Sequence, residues 1–259
     1  EAYKFNEAAG AIYEFAWGIF CDWYLELIKT ILGDDFDDDA VKSETRATVA
    51  WVLDQILKLL HPFMPFITEE LWAHMVEHGE RRENLLALSQ WPALSGLHDA
   101  KVDEEIGWVV RLISEIRSVR TEMNVPVAAK VPLALPGANS ALRERARRYE
   151  ETISRLARLE SITFPKVAPK GAALLVVEGA TAALPLAGVI DMDAEHKRLS
   201  REIEKAEVDL GKMNAKLENP QFLAKAKEEA IEEARERKAE LLEMIRRLAA
   251  AVKRIEAAA

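Results

Sequence analysis

Arg117 and Arg120 stand three residues apart, with Arg111 upstream and Glu122 and Asn124 just beyond. On a helix that spacing puts both guanidinium groups on one face. They can pair with Glu115 and Glu122 along the helix, or they can touch phosphates; spacing alone favours the ion pairs. Residues 139–159 add Arg143, Arg145, Arg147, Arg148, Arg155 and Arg158, more positive charge than solubility requires. Phosphate contact and a solvated face fit that run equally well. His74 and His78 stand four apart with Glu77 between them, but the order is not His-Glu-x-x-His and no third ligand is evident. Surface histidines are therefore expected there and no metal is assigned. No Gly-rich phosphate loop and no Gly-x-Ser-x-Gly elbow occur, so no catalytic residue is assigned either. Cys21 stands alone, which excludes an internal disulfide and argues against a structural zinc site.

These arginines belong to a chain of 259 residues with a formal net charge of -9, a balance that repels a polyanion on average. The charge is uneven. Residues 1–100 hold 7 Lys and Arg against 18 Asp and Glu, whereas residues 101–170 hold 13 against 9. Residues 171–190 carry Glu178 alone, and residues 191–259 carry 15 basic against 16 acidic side chains. The acidity belongs to the first segment, which leaves room for a local basic surface elsewhere. The hydrophobic fraction of 49% is enough for a core split over two or three units. The apolar stretch 56–67 is broken by His61, Pro62 and Pro65 and falls short of the roughly 20 residues of a membrane span. No signal peptide is visible, and a reducing cytoplasm is the expected compartment. The first residues already fit a helical pattern, so the chain reads as a piece of something longer.

The elements that must position these side chains follow from hydrophobic periodicity. Phe5, Ala8, Ala9, Ile12, Phe15, Ile19, Trp23, Leu27 and Ile31 predict one long helix over 3–32 with a continuous apolar face. Gly33 and the acidic run 34–39 break it, and a second helix is expected over 40–60. His61-Pro62-Phe63-Met64-Pro65 is a tight structural corner before a third helix over 66–77. A loop holding Trp91-Pro92 leads to a fourth helix, capped by Asp103, that carries Ile106, Val109, Val110, Ile113, Ile116 and Val119 inward as far as Met123. Together these read as an antiparallel bundle over 1–124. Tyr13, Trp17, Tyr24 and Trp108 are aromatic enough to stack on bases, but spacing alone does not tell them from core, and a core position is expected for each.

At Val125-Pro126 the period changes. Pro132 and Pro136 predict an edge strand, followed by a helix over 139–159 and strands near 162–164, 172–177 and 182–190. This gives a small α+β subdomain over 125–188. From 189 the apolar residues Met192, His196, Leu199, Ile203, Ala206, Leu210, Met213 and Leu217 alternate by four and three. The pattern resumes after Asn219-Pro220 with Ile231, Ala234, Lys238, Leu241, Ile245, Leu248, Val252 and Ile255, predicting an antiparallel coiled-coil hairpin over 189–259. Lys238 and His196 mark wet or partner-facing points of that seam. The fold class is mainly α.

Several segments in order resemble the region that follows the catalytic domain in class I valyl-tRNA synthetases. They are Phe5-Asn6-Glu7-Ala8-Ala9, then Phe20-Cys21-Asp22-Trp23-Tyr24-Leu25-Glu26, and then Leu60-His61-Pro62-Phe63-Met64-Pro65-Phe66-Ile67-Thr68-Glu69-Glu70-Leu71-Trp72, shared with isoleucyl and leucyl relatives. Ile116-Arg117-Ser118-Val119-Arg120 follows, then Leu186-Ala187-Gly188-Val189-Ile190-Asp191 and the hairpin tip Asn219-Pro220-Gln221-Phe222-Leu223-Ala224-Lys225-Ala226, which is similar to valyl enzymes in particular. The His-Ile-Gly-His and Lys-Met-Ser-Lys-Ser signatures of class I catalysis do not occur.

The resemblance implies a bacterial, non-catalytic tRNA-binding part of such an enzyme, while the antiparallel hairpin, which satisfies its own seam, argues for a monomer. Its bundle would read the anticodon of valine tRNA, and its arm would pack against the outer corner of the tRNA. ATP and magnesium would serve the longer parent enzyme and not this part. Candidate contacts under this reading are Arg111, Arg117, Arg120 and Asn124, with Lys212, Lys216, Lys225 and Lys227 near the hairpin tip for phosphates. The alternative is a protein-interaction module acting through the coiled-coil arm.

Overall fold

The computed structural model describes residues 3–75 and 84–258, with the side chains of Gln221, Leu223, Lys225, Ala257 and Ala258 excepted. The chain divides into two compact units, Glu1–Ala100 and Lys101–Ala259, each described by itself below.

In the first unit the segment expected as one helix is helical throughout but changes its winding. α1 spans Phe5–Glu14, a π-helical stretch spans Phe15–Tyr24, and two short pieces, α2 (Leu25–Leu27) and α3 (Lys29–Leu32), complete it. The wider i→i+5 turns move later side chains off the line that a 3.6-residue period sets. The continuous apolar face is not buried along its length, and α1 itself buries no residue: Phe20 and Ile28 are inside, while Phe5, Phe15 and Ile19 are exposed. Gly33 is extended and Asp38 caps α4 (Asp39–Leu60), its Oδ1 accepting the Ala40 and Val41 amides at 3.0 and 3.1 Å. The expected corner follows. Thr68 is buried there; its Oγ donates to the Met64 carbonyl at 2.8 Å and meets His61 Nδ1 at 2.8 Å, which leaves the ring nitrogen as the donor. Pro65 opens α5 (Pro65–His74), where its missing N–H costs nothing.

The second unit begins with α6 (Ala100–Glu122), which turns Trp108, Val109, Leu112, Ile113, Ile116 and Val119 inward at helical spacing. Asp103 lies inside its first turn and not at the cap position, because the helix starts at Ala100, four residues earlier than a cap at Asp103 would place it. A four-stranded sheet follows in the order β2-β1-β4-β3, built from β1 (Val131–Ala134), β2 (Leu159–Thr163), β3 (Ala172–Val177) and β4 (Ala180–Pro185). β1 and β2 run parallel, joined by α7 (Ser140–Arg148) and α8 (Glu150–Ala157). These two helices replace the single helix expected over 139–159, the break falling at Tyr149.

The predicted edge strand is corrected: β1 is interior, flanked by β2 and β4. Its register against β2 shifts between Val131 and Leu133, so Pro132 sits at an irregularity that needs no donor. The last elements are α9 (Met192–Glu218), the short α10 (Pro220–Lys225) and α11 (Glu228–Ala258). Asp191 caps α9 by accepting the Ala194 amide at 2.9 Å. His196 near the start of α9 meets Glu256 near the end of α11 at 3.4 Å, so the two long helices run antiparallel. Leu199, Ala206, Ala234, Leu241 and Ile255 are buried along the seam read from the sequence. At about 1.5 Å per residue, the 27 residues of α9 extend about 40 Å.

Candidate nucleic-acid interface

Asn124 shapes the end of α6. Its backbone is left-handed at φ 49°, its amide reaches the Thr121 carbonyl at 3.2 Å, and the Val125 amide reaches the Arg120 carbonyl at 2.8 Å. This is the Schellman termination, with asparagine taking the position usually given to glycine. The chain therefore turns sharply under Arg120. That side chain is only 7% exposed, and it donates to the carbonyl oxygens of Ala129 at 2.8 Å, Pro126 at 3.2 Å and Arg158 at 3.5 Å. Burial, and the nearby Arg158, lower its pKa from the ordinary value. Arg120 is thus spent on holding the 126–129 turn and the end of α8 against α6. The expected ion pairing of Arg120 along its own helix gives way to these carbonyls.

Arg117 sits one turn earlier and is exposed, and its Nε donates to the Leu156 carbonyl at 2.9 Å. Beside these contacts lies a groove of about 440 Å³ between the ends of α6 and α8, lined by Arg117, Arg120, Thr121, Asn124, Arg158, Leu156 and Val125 among others. A second depression of about 440 Å³ is lined by Lys130, Ser154, Arg155, Arg158 and Leu159. Among the described residues lining either depression there is no carboxylate. Arg158 borders both. It ends α8 in the left-handed conformation at φ 54°, which costs a residue bearing a Cβ about 1 kcal/mol. Such surfaces can hold successive phosphates, each neutralised by an arginine or lysine.

The remaining arginines of this unit have other occupations. Arg111 pairs with Glu178 at the β3–β4 turn. On α7, Arg145 lies over the buried Trp108 ring at 5.7 Å and reaches Glu104 at 3.3 Å, while Arg148 reaches Glu105 at 2.7 Å. Arg143 and Arg147 lie 5.8 and 5.6 Å from the Phe164 ring, and Arg143 also donates to the Ala138 carbonyl at 2.8 Å. The arginine run therefore divides: α7 places its guanidinium groups on carboxylates and rings, and the end of α8 places Arg155 and Arg158 on the grooves.

On the hairpin, Lys212 pairs with Asp209 at 2.7 Å, and Lys216 lies over the Phe222 ring at 4.8 Å, clamping α10 to the end of α9. Lys227 stands beside Glu228, Glu229 and Glu232, which offset its charge. Lys225 ends α10, and its side chain lies outside those described. His74 faces Glu70 at 3.3 Å, and His78 lies outside the described residues.

The aromatic side chains separate in the same way. Trp108 is buried and Tyr24 half-buried, as expected, but Tyr13 and Trp17 are 67% and 61% exposed, which overturns their assignment to the core. Both lie on the part of the first helix where the winding changes, and exposed rings of this kind can stack on unpaired bases. Lys130 escaped the sequence reading altogether, since only the fold brings it beside Arg155 and Arg158 at the end of α8.

The chain thus combines a helical first unit, a cationic groove at the end of α6 and a long helical hairpin. Residues 1–135 match the model of the anticodon-binding domain of tRNA ligases, and the chain belongs to that family. Residues 191–256 match the valyl tRNA synthetase tRNA binding arm. Among curated relatives, the valine–tRNA ligase of Caulobacter vibrioides is 50% identical over 98% of this chain and 28% of its own length. Those of Rhizobium meliloti and Brucella suis are 51% and 48% identical over 93% and 98% of this chain. The chain spans between 25% and 30% of the length of such relatives. Among the described residues no helix is long and apolar enough to cross a membrane.

Proposed function

We propose that this chain recognises valine tRNA as a monomer in the cytoplasm, serving a valine–tRNA ligase whose longer chain attaches valine using ATP and magnesium. Three segments share the work: 1–124 reads the anticodon, 125–188 links, and 189–259 reaches the outer corner of the L-shaped tRNA as a coiled-coil arm. The observation that carries this reading is the carboxylate-free groove containing Arg117, in a chain that matches the anticodon-binding domain at one end and the tRNA binding arm at the other.

Local charge overcomes the net charge of -9, because the acidity is concentrated in residues 1–100 while the grooves are built from 117–159. Arg117 and Asn124 are the proposed contacts at the end of α6, with Arg120 acting through the turn it holds. Lys212, Lys216, Lys225 and Lys227 are the proposed phosphate contacts of the arm, and Arg111 is an outlying candidate tied to Glu178. Binding energy gathered so far from the reacting end would position the acceptor strand in the longer enzyme.

Titration of the chain with valine tRNA and with a tRNA of different anticodon, each at two salt concentrations, tests the proposal. A salt-sensitive affinity favouring valine tRNA is expected. Equal affinity for both removes the anticodon reading, and absence of binding removes the function.

A further inference from the structure

At Arg158 backbone conformation and side-chain chemistry pull in different directions. The residue occupies a left-handed helix end at φ 54°, where glycine is the favoured residue, yet it carries a long cationic side chain that is exposed and lines two adjoining depressions. Its carbonyl is held from two sides, by the Val131 amide at 3.3 Å and by Arg120 Nη1 at 3.5 Å, so the conformation is fixed by neighbours and not chosen by the residue. Strain of that kind, imposed by surrounding structure at a surface groove, points to a use for the side chain that maintains it.

We infer that Arg158, with Lys130 and Arg155, forms a phosphodiester-binding subsite that continues the Arg117 groove, so that a single RNA strand crosses both depressions with consecutive phosphates on either side of Arg158. The inference rests on the tRNA-binding reading above and adds a site to it. The arrangement suits backbone recognition. Both depressions are lined by cations, hydroxyls and aliphatic groups, with the Asn124 amide in the first, and without a carboxylate among the described lining residues. The subsite therefore reads the path of the strand and not its sequence. Arg120 acts as its positioning residue: its guanidinium fixes the carbonyl of Arg158.

The test is Arg158→Gly in the full 259-residue chain, compared with Arg158→Lys and with Lys130→Gln, by titration with valine tRNA over a range of salt concentrations and by thermal unfolding. Glycine relieves the left-handed strain, so Tm is expected to hold or rise. The affinity is expected to fall by about tenfold and the slope of log affinity against log salt to flatten by about one, because one phosphate contact is lost. Lys130→Gln should flatten the slope similarly, and Arg158→Lys should keep most of the affinity. Unchanged affinity and slope in Arg158→Gly, while the parent chain binds tRNA, would overturn the subsite and leave the tRNA-binding reading intact. Weakened binding with an unchanged slope would also overturn it, since a shape change and not a lost cation would then be responsible. If the parent chain binds no tRNA, the broader reading falls and takes the subsite with it.

Discussion

The carboxylate of Glu122 pairs with the guanidinium of Arg254, 132 residues further along the chain. Glu122 is the last residue of α6, and its carbonyl accepts Arg198 Nη2 at 3.1 Å, so one residue holds the roots of both long hairpin helices. Glu195 hydrogen-bonds Arg198 and keeps its guanidinium above the ordinary pKa, which leaves it a permanent cation at this junction. Both members of the Glu122–Arg254 pair are largely buried, at 16% and 23% side-chain exposure. Removing one charge strands the other, and Glu122→Gln is expected to cost about 2 kcal/mol. Urea unfolding checks the magnitude. Hydrogen exchange should rise selectively near Arg198 and Arg254, and uniform protection would show that the pair does not hold the root of the hairpin.

Asn124 offers a way to separate fold from recognition. Its left-handed backbone tolerates asparagine and glycine and penalises alanine. Asn124→Ala is expected to destabilise by about 1 kcal/mol, a Tm loss of about 2–4 °C for a chain of this size. Asn124→Gly should keep or raise Tm. If the side chain also touches tRNA, Asn124→Gly loses affinity without losing stability. Equal Tm values for the two variants would remove the structural half of the argument.

The hairpin was legible because its spacing of four and three is local and strict, and the burial of Leu199, Ala206, Ala234, Leu241 and Ile255 follows it. The β, α, β, β, β order was legible for the same reason, although one helix proved to be two. The interior place of β1 was not: Pro132 argues for an edge, and only the register shift opposite β2 shows how an interior strand accommodates it. Arg117, Arg120 and Asn124 could be picked out by type and spacing, but their division of labour could not. That Arg120 is a buried brace and Arg117 a groove wall depends on carbonyls of residues 126–158, which periodicity does not bring to α6. Tyr13 and Trp17 were expected in a core because spacing alone does not tell a packed ring from an exposed one, and only the fold shows both exposed.

Arg120 is expected to behave as a structural residue even in a binding assay. Its guanidinium serves three carbonyls in different directions, which an ammonium group on a flexible stem cannot reproduce. Arg120→Lys should therefore destabilise nearly as much as Arg120→Met, by about 3 kcal/mol, because buried carbonyls lose their donors in both. Circular dichroism melts of the two variants check this. A lysine variant as stable as the parent would mean that charge alone, and not the planar fork, holds the turn.

Asp209 restrains the lysine proposed to meet phosphate on the arm. A hydrogen bond from Lys212, reinforced by its charge, holds the Asp209 carboxyl below its ordinary pKa, so at neutral pH the aspartate is ionised and Lys212 is engaged. The sign follows from that depression: the pairing is fully present above the ordinary carboxylate range and is lost as pH falls through the lowered value of the folded chain. Asp209→Asn removes the competing anion at every pH. The variant is expected to bind valine tRNA about three- to tenfold more tightly at low salt, with a steeper salt dependence, because Lys212 no longer exchanges one carboxylate for one phosphate. Lys212→Gln should move both quantities the other way, and the double variant should resemble Lys212→Gln. Affinity unchanged in Asp209→Asn while Lys212→Gln weakens binding would mean that bound RNA already displaces the aspartate at no cost. Affinity unchanged in both would take Lys212 out of the interface.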